Sequence, residues 1–344
     1  MRVGLALSGG TDSAAAARLL LGRGHQVKAF VFSNSAHPDN GNTVEEARTA
    51  ARRLGLTLTV VDAAKEFQHL IDAYIVPTLM RNETPNPCVV CNRRIKFSWF
   101  MQRVLQDEDV ELFATGHYAG SRGPRGQAGL FRGADKQKDQ SYFLAQVEAR
   151  AFRRTLFPLS RVSKQEAVAL AAGIVARPHT QSQDVCFARN YRMFIREHLA
   201  GHLRPGPIVH VDGREIGRHQ GLPLYTIGQR RGLGVAFHEP LYVVNKRTHS
   251  NCLVVGVGRD LLCRDVVINN LNLLAAVGAE GRGWAKIRYN QQAQAVRYTC
   301  MRAQQRALLR FAAPVSAPAP GQLAVVFDAH NRQVLFSGYI SGGE

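Results

Sequence analysis

The chain of 344 residues concentrates its reactive side chains in a few short segments, and one of these holds a pair of cysteines. Cys88 and Cys91 stand three positions apart, directly after Pro85 and Pro87. The prolines favour an extended, stiff approach, since each also restrains the residue before it. A turn or a helix start would then bring both sulfurs to one side. Basic residues at positions 93, 94 and 96 would favour the thiolate, the reactive form of cysteine.

Two other interpretations of the cysteine pair are open. Half of a structural zinc site is disfavoured, because such a site needs four ligands and the sequence has no second CxxC. Two buried, inert cysteines are the remaining alternative.

A glycine-rich segment near the start of the chain has the composition of an anion-binding loop. The sequence SGGTDS, residues 8–13, lies between an apolar strand-like stretch and a helix-like stretch. Glycines let the backbone approach a ligand, and the free N–H groups of a helix start favour an anion. Serine hydroxyls can donate to phosphate oxygens, and Asp12 can orient a metal ion bound to phosphate. The alternative is a tight turn with a capping residue. No lysine follows the glycines, which disfavours the kinase-type phosphate loop.

Three further segments are weaker candidates. Cys186 lies alone in a polar stretch, where packing is the default role for a cysteine. Residues 136–142 mix lysines, amides and an aromatic ring, which suits phosphates and a base. Residues 225–234 form a basic segment framed by glycines. Both basic segments are equally compatible with a solvated surface. Cys252, Cys263 and Cys300 are interpreted as packing residues.

The charge balance favours a polyanionic partner. The chain carries 44 Lys and Arg against 26 Asp and Glu, a formal net charge of +18. Nucleic acid is the first candidate, although a generally basic surface would look the same. Six cysteines in a chain of this length favour metal binding or redox chemistry over a disulfide framework. No apolar run is long enough to cross a bilayer, and a strand-like start leaves no room for a signal peptide, so we expect a cytoplasmic protein without a membrane partner.

The elements expected to position these residues change character along the chain. Strands predicted at 2–7, 27–32, 56–61 and 112–115 alternate with helices at 12–22, 43–54 and 95–106, which favours an α/β domain with a parallel sheet. Thr43 with Glu46, and Ser163 with Glu166, have the spacing of capping boxes. Residues 139–203 are predicted to be mainly helical. From residue 205 short β-rich runs follow, beginning with a hairpin at 208–217, and predict one or two small barrels or sandwiches. The expected domains are residues 1–203, 204–265 and 266–344.

SGGTDS resembles the SGGxDS loop of the N-type ATP pyrophosphatase, or PP-loop, superfamily, whose enzymes adenylate an oxygen and release pyrophosphate. In their order, seven segments resemble the bacterial and mitochondrial tRNA-specific 2-thiouridylase family over nearly the whole chain. They are SGGTDS, TPNPCVVCNRRIKF, ATGHYA, KDQSYFL, SQDVCF, YTIGQRRGLG and KIRYN. The resemblance implies an adenine nucleotide alpha-hydrolase-like N-terminal domain followed by two small, mainly β, barrel-like domains.

The resemblance also implies roles for individual residues. The implied ATP-binding residues are Ala6, Leu7, Ser8, Gly9, Gly10, Thr11, Asp12, Ser13, Phe32 and Gly116. Asn86, Pro87 and Cys88 would lie beside the target base, while Lys138, Asp139, Gln140, Arg288 and Tyr289 would contact tRNA. Cys91 and Cys186 match the family's catalytic pair, which is expected to meet in the fold.

The implied reaction uses ATP and Mg²⁺ to adenylate the 2-oxygen of a uridine in tRNA, at wobble position 34. Sulfur would come from a donor protein, a persulfide relay protein or a cysteine desulfurase, and arrive as a persulfide on Cys186. Either Cys91 attacks that persulfide and leaves a transient Cys91–Cys186 disulfide, or the terminal sulfur attacks carbon 2 directly. The sequence leaves both routes open.

Two departures from the family pattern affect these expectations. Many members have Asp where this chain has Cys88, so the role of that Asp is not carried over. Cys88, Cys91 and Cys186 together would suffice to hold a [4Fe–4S] cluster with one iron open. Residues 33–42 also differ from the family's usual acidic, Cys-containing stretch, which leaves nucleotide contacts there undefined.

Other functions are alternatives. An argininosuccinate-type ligase would not explain the thiols or the basic excess, and a 2-thiocytidine synthase would bring another cysteine arrangement and lack the β-rich half. Another PP-loop tRNA-thiolating enzyme with an iron–sulfur cluster, and a non-catalytic RNA-binding protein, remain.

Overall fold

The computed structural model describes residues 1–34, 40–123, 126–175 and 190–342. Its strands are β1 (Arg2–Ala6), β2 (Gln26–Ser33), β3 (Leu58–Asp62), β4 (Leu112–Thr115), β5 (Ala119–Arg122), β6 (Ala128–Arg132), β7 (Thr155–Leu156), β8 (Gly206–His210), β9 (Glu215–His219), β10 (Tyr242–Arg247), β11 (Cys252–Gly256), β12 (Leu262–Leu273), β13 (Glu280–Lys286), β14 (Gln294–Met301), β15 (Arg306–Ser316), β16 (Leu323–Phe327) and β17 (Val334–Ile340). Its α-helices are α1 (Thr11–Gly22), α2 (Asn40–Leu54), α3 (Ala64–Leu70), α4 (Val76–Met80), α5 (Pro87–Val90), α6 (Met101–Leu105), α7 (Ser141–Leu144), α8 (Lys164–Ala171) and α9 (Tyr191–His198).

The N-terminal part contains a parallel five-stranded sheet in the order β3-β2-β1-β4-β7. Four consecutive alanines, residues 14–17, are fully buried on α1, and their small side chains let this helix pack closely on the sheet. Because the strands are parallel, their carboxyl ends meet at one edge, where ligands bind in open α/β sheets. The predicted α/β fold class is therefore confirmed.

One long helical stretch carries the cysteine pair. The chain stays helical from Pro87 to Leu105 through α5, a π-helical segment (Cys91–Phe100) and α6. It begins eight residues before the predicted start at residue 95. Pro87 occupies the first helical turn, where its fixed φ is already helical and its missing N–H costs nothing.

The two predicted capping boxes have opposite outcomes. At α8, Glu166 N donates to Ser163 Oγ at 3.2 Å and Ser163 N donates to Glu166 Oε2 at 2.7 Å, which confirms the second box. The first box is wrong, because α2 begins at Asn40 and therefore contains Thr43. Between the predicted helix at 95–106 and the predicted helical stretch 139–203, strands β5 and β6 form an antiparallel hairpin.

The β-rich half forms two units. The predicted hairpin is confirmed as the antiparallel pair β8–β9, which belongs to a four-stranded sheet ordered β10-β11-β8-β9. The last six strands close into an antiparallel barrel in the order β12-β15-β14-β13-β16-β17. Closure removes free sheet edges, and inward positions alternate with outward ones along each strand. Two small, mainly β units after the α/β part are thus confirmed, while the limits at residues 203 and 265 stay predictions.

The β units pack directly on the α/β part. The outer face of the barrel contributes Leu323, Val325 and Phe327 to a buried cluster that also contains Phe97 and Phe113. The four-stranded sheet shares a second buried cluster with α3, α4, α9 and the buried face of the cysteine helix. These shared cores fix the barrel and the four-stranded sheet at the carboxyl edge of the parallel sheet, where the site residues lie. Over the described ranges, no helix is long and apolar enough to span a membrane.

Candidate active site

The loop after β1 is preorganised by its own hydrogen bonds. Ser8 N donates to Ser13 Oγ at 3.2 Å, and Ser13 Oγ donates to Gly10 O at 2.9 Å. Gly10 caps α1 with an extended backbone and offers no side chain to that end of the helix. The N–H groups of the first turn of α1 are thus presented at the carboxyl edge of the sheet, where they favour an anion.

Two glycines are required by close backbone approach. Gly9 has φ +79°, and a Cβ there would lie 2.4 Å from the backbone carbon of Glu46 on α2. A Cβ at Gly116 would lie 2.8 Å from the backbone oxygen of Asp12. Any larger residue would push α2 or the loop after β4 away from the SGGTDS loop. Both glycines therefore keep the loop against its neighbours.

Asp12 is held by two donors from distant parts of the chain. Lys164 Nζ lies 2.6 Å and Tyr118 Oη 2.7 Å from Asp12 Oδ1. Burial, and then the hydrogen bond to Asp12, raise the pKa of Tyr118 above its ordinary value, so its hydroxyl remains a donor at neutral pH. The two hydrogen bonds fix the orientation of the Asp12 carboxylate and place the Lys164 ammonium beside it. This arrangement suits charged phosphates next to the loop.

The Thr11 hydroxyl in the loop has no hydrogen-bond partner among the described residues. Thr11 is 3% exposed, and Oγ1 has no hydrogen-bond partner within the described part of the chain. A buried hydroxyl without a partner is unfavourable unless a ligand completes it. Of the other predicted nucleotide residues, Leu7 is buried, with its N–H bonded to Phe30 O at 2.8 Å. Phe32, near the end of β2, packs its ring against Phe100 at 5.1 Å.

The segment before the cysteines is held by the C-terminal barrel. Gln322 Nε2 donates to Thr84 O at 3.2 Å and to Pro85 O at 3.0 Å. Asn86 N donates to Tyr74 Oη at 2.8 Å, and Asn86 Nδ2 donates to Gln322 Oε1 at 3.4 Å. Asn86 is 7% exposed, so its position is determined by these contacts and leaves little freedom.

The two cysteines of the helix differ in accessibility. Cys88 is exposed, whereas Cys91 is buried, with 6% of its surface accessible. They lie three residues apart at the start of the helical stretch, where α5 passes into the π-helical segment. Cys186 and the whole SQDVCF segment lie outside the described residues, as do residues 35–39 of the divergent stretch 33–42. The predicted meeting of Cys91 with Cys186 therefore stays a prediction.

The predicted tRNA-contact residues 138–140 form a turn with a buried anchor. Asp139 is 2% exposed and accepts from Arg132 Nε at 2.7 Å and from the backbone N–H groups of residues 133 and 141 at 3.1 Å. Gln140 Oε1 accepts from Tyr118 N at 3.0 Å, which links this turn to the residue that holds Asp12. The Asp139 carboxylate is fully engaged and fixes the turn, while Lys138 is partly exposed.

The last group of predicted tRNA-contact residues, Arg288 and Tyr289, lies on the barrel. Arg288 Nη2 donates to Ile227 O and Ala317 O, each at 2.7 Å, and so ties the basic segment 225–234 to the barrel. Its Nε is buried without a partner in the described structure, and burial lowers the pKa of Arg288. The Tyr289 ring stands 4.4 Å from the ring of Phe143, centroid to centroid.

Tyr142 is where the three predicted contact groups come together. Its hydroxyl donates to Leu323 O at 2.8 Å, and Leu323 directly follows Gln322, the residue that contacts Asn86. The Tyr289 ring centroid is 6.2 Å away, and the turn ending at Gln140 precedes it by two residues. Burial raises the pKa of Tyr142. The fold therefore brings residues 86–88, 138–140 and 288–289 to one place.

Sequence reasoning missed three positioning residues: Lys164, Tyr118 and Gln322. Tyr118 belongs to the ATGHYA motif, and Lys164 directly follows the predicted cap Ser163, but neither position indicated a contact with Asp12. Gln322 carried no signal, because its partners lie more than 200 residues earlier in the chain.

The fold and the loop define a class: a PP-loop nucleotide-binding α/β domain that carries two β units. Two family models match the chain up to residue 257. A tRNA methyl transferase HUP domain matches residues 1–190, and a tRNA methyl transferase PRC-barrel domain matches residues 192–257.

Curated relatives identify the family. The chain is 37% identical to the tRNA-specific 2-thiouridylase MnmA of Nitratidesulfovibrio vulgaris (strain Miyazaki F), over 99% of each chain. It is 33% identical to the enzyme of the same name from Treponema denticola, over 95% of this chain and 94% of that one. The chain belongs to the tRNA-specific 2-thiouridylase family. A solved U34-tRNA thiolase from Methanococcus maripaludis, described with its [4Fe–4S] cluster, shares 16% identity over 58% of this chain and 67% of its own, with a TM-score of 0.36, and so distant a likeness supports no inference.

Proposed function

We propose that this protein adenylates a uridine in tRNA with ATP and replaces its 2-oxygen by sulfur. The observation that carries the proposal is the preorganised SGGTDS loop, with Asp12 held by Lys164 and Tyr118, in a chain of the 2-thiouridylase family. A methyl transfer, which the descriptions of the family models would suggest, has no use for this loop and releases no AMP.

ATP would bind at the carboxyl edge of the sheet. The backbone N–H groups that follow Gly10 and the unused Thr11 hydroxyl would donate to its phosphates. Asp12 is the residue that would hold Mg²⁺, which would supply charge compensation for the departing pyrophosphate. Lys164 would neutralise the same region. Gly116 borders this region because it packs on the first turn of α1, and Phe32 lies at the end of the adjacent strand.

The target base would lie beside residues 86–88, and tRNA would extend over the turn 138–140 and the Arg288–Tyr289 corner. Support comes from the convergence of these groups on Tyr142. Lys138 would contact phosphate directly, while buried Asp139 would act by holding the turn. By resemblance the uridine is the wobble base, position 34. The basic excess of the chain accords with an RNA substrate.

The sulfur chemistry falls to the cysteines. Uridine O2 attacks the α-phosphorus and pyrophosphate leaves; sulfur then adds to carbon 2, and AMP departs with the original oxygen. In the persulfide route, a donor protein loads Cys186. Cys91 then acts in one of two ways: it attacks the sulfur bonded to Cys186 and releases hydrosulfide, which adds to carbon 2, or the terminal sulfur attacks carbon 2 first and Cys91 then cleaves the remaining S–S bond to Cys186; both ways leave a Cys91–Cys186 disulfide. We propose that these steps take place in the cytoplasm.

A second candidate route is favoured by Cys88. Cys88 and Cys91 are three residues apart at the start of the same helical stretch, a spacing that suits two ligands of an iron–sulfur cluster, with Cys186 as the third ligand. Such a [4Fe–4S] cluster would supply an open iron as a binding site for inorganic sulfide.

The first experiment uses anaerobically purified protein, unmodified tRNA, ATP, Mg²⁺ and either sulfide or a persulfide donor. AMP release and a mercury-retarded tRNA band are measured together. We expect both to appear, and both to be retained in the matched control Cys263→Ser, whose half-buried thiol lies in the barrel wall. Cys186→Ser should abolish the retarded band and keep tRNA affinity. AMP without retarded tRNA would refute the sulfur transfer alone, and bound tRNA with neither product would favour an RNA-binding protein.

The variant Cys88→Asp separates the two sulfur routes, because it restores the residue that many family members have. In the persulfide route, thiolation with a persulfide donor is retained. In the cluster route, iron and acid-labile sulfide content fall and sulfide-dependent thiolation is lost. Iron content is measured by a colorimetric assay on the same anaerobic preparations, so the distinction does not depend on activity alone.

A further inference from the structure

The outer wall of the C-terminal barrel carries three arginines side by side. Arg282 on β13 is paired in register with Arg297 on β14, and Arg297 with Arg310 on β15. All three side chains are exposed. Neighbouring strands are about 4.8 Å apart, so the three guanidinium groups form one row across the barrel. We call these three residues the arginine row.

The row is electrostatically unfavourable in the protein alone, because like charges directly opposite each other destabilise a sheet. Arg310 is compensated by Asp265, with Nε–Oδ1 at 3.0 Å and Nη2–Oδ2 at 3.1 Å. Arg282 and Arg297 have no ion pair or side-chain hydrogen bond within the described residues. Two unpaired guanidiniums are therefore held together by backbone register, a preorganised site for a bidentate anion.

The arginine row continues from the proposed tRNA site along β13. Along this strand, Arg282 is exposed and Trp284 is half-buried, whereas Lys286 is buried, with 6% of its surface accessible. Lys286 Nζ lies 5.4 Å from the centroid of the Tyr289 ring, at the base site. Strand β13 ends at Lys286, four residues after Arg282, which is about 13 Å of extended chain. This distance is too great for contact with the target nucleotide and short enough for the helical stem beside it.

We propose that the arginine row binds the sugar-phosphate backbone of the tRNA body, away from the modified base; the inference rests on the proposed tRNA substrate. The outward neighbours of Arg297 on the same strand are Ala295 and Thr299, and the Trp284 ring beside Ala295 is half-buried against the core shared with the α/β part, so the described residues around the row offer no exposed apolar centre for a protein partner. In protein interfaces arginines accompany an apolar, aromatic-rich core, whereas phosphate backbones are bound by arginines without one. Double-helical RNA is recognised mainly through shape and backbone, which this row matches.

The test is the double variant Arg282→Gln/Arg297→Gln, measured for tRNA affinity from 50 to 200 mM salt. Losing two phosphate contacts lowers the salt-dependence slope by about 0.9 per contact, so the wild-type protein should lose about tenfold more affinity than the variant over this range. The matched control is Arg23→Gln/Arg52→Gln, which removes two exposed charges near the carboxyl ends of α1 and α2, at the opposite edge of the sheet. The control should keep the wild-type slope.

Two further readouts make the result decisive. Affinity for a trinucleotide centred on the target uridine should be unchanged in the double variant, because this ligand cannot reach the row. The thermal midpoint should be unchanged or higher, since a repulsive pair is removed. A salt slope equal to that of the wild type, or an equal loss of affinity for the trinucleotide, overturns the inference. Absence of thiolation by the wild-type protein would instead refute the proposed function, because tRNA binding is measured independently of turnover.

Discussion

Lys164 is the residue whose replacement separates catalysis from stability most clearly. We expect Lys164→Met to lower the rate of AMP formation by about 100-fold with little change in stability. The ammonium lies 2.6 Å from the Asp12 carboxylate, and the side chains are 22% and 37% exposed. A partly exposed ion pair of this kind stabilises a fold by about 1 kcal/mol.

The position of Lys164 in its helix reduces the stability gained from this ion pair. Lys164 is the first residue of α8, where the helix dipole disfavours a cation by about 0.3–1 kcal/mol. Removing the charge therefore changes the free energy of unfolding by less than about 1 kcal/mol. A preorganised charged group beside a reacting phosphate contributes much more, about 100- to 1,000-fold in rate. The structure thus predicts a large effect on adenylation and a small effect on folding.

The assay follows AMP formation with saturating tRNA over a range of ATP concentrations, and the thermal midpoint is measured by calorimetry. We expect the loss mainly in kcat, with partial recovery in Lys164→Arg, which keeps the charge. The matched control is Lys65→Met, an exposed lysine in the first turn of α3. AMP formation by Lys164→Met within threefold of the wild type would refute the reasoning, as would a rate loss that follows a large drop in thermal midpoint.

Three other predictions test the surrounding structure. Gly9→Ala should abolish ATP binding, measured by calorimetric titration, because a Cβ would lie 2.4 Å from the Glu46 backbone; normal ATP affinity would contradict this. Gln322→Ala should lower tRNA thiolation at least tenfold and leave ATP affinity intact, since both hydrogen bonds to the segment ending at Pro85 are lost. Burial lowers the pKa of Lys246 from its ordinary value of 10.5 to about 8. Between pH 8 and 10.5 this lysine is therefore protonated in the unfolded chain but mostly neutral in the folded protein, so its contribution to the free energy of unfolding rises with pH across that window. Lys246→Met should therefore be more stable than the wild type by about 1–2 kcal/mol at pH 7 and should lose this rise, as measured by denaturant unfolding at pH 7 and 9.5. A variant whose free energy of unfolding still rises between the two pH values as much as that of the wild type would contradict the explanation.

Local features of the site were predictable because they depend on neighbours in sequence. The SGGTDS loop requires only a strand, glycines with positive φ and a helix start, all within a few residues. The cap at Ser163 and the hairpin β8–β9 follow from similarly short-range rules. Where short-range rules competed, they failed: Thr43 has the spacing of a capping residue, yet α2 begins earlier at Asn40.

The early start of the cysteine helix also has a local cause that was open to another interpretation. Pro85 and Pro87 were expected to keep the chain extended up to the cysteines. Pro87 instead begins the helix, while the segment before it is held extended by Gln322 and Tyr74. Proline is compatible with both structures, and tertiary contacts decided which one formed.

By itself, then, the sequence determined the parallel α/β class, the loop that presents N–H groups to an anion, the cysteine pair and the order of motifs shared with the family. Only the tertiary structure decided that Lys164 meets Asp12 across 152 residues and that Gln322 meets Thr84 across 238. The same is true of the arginine row, which exists only in one strand register, since a shift by one residue would turn the side chains inward. Local preferences extend over a few residues, whereas these contacts depend on how buried surfaces pack, and no pattern in the chain specifies that pairing.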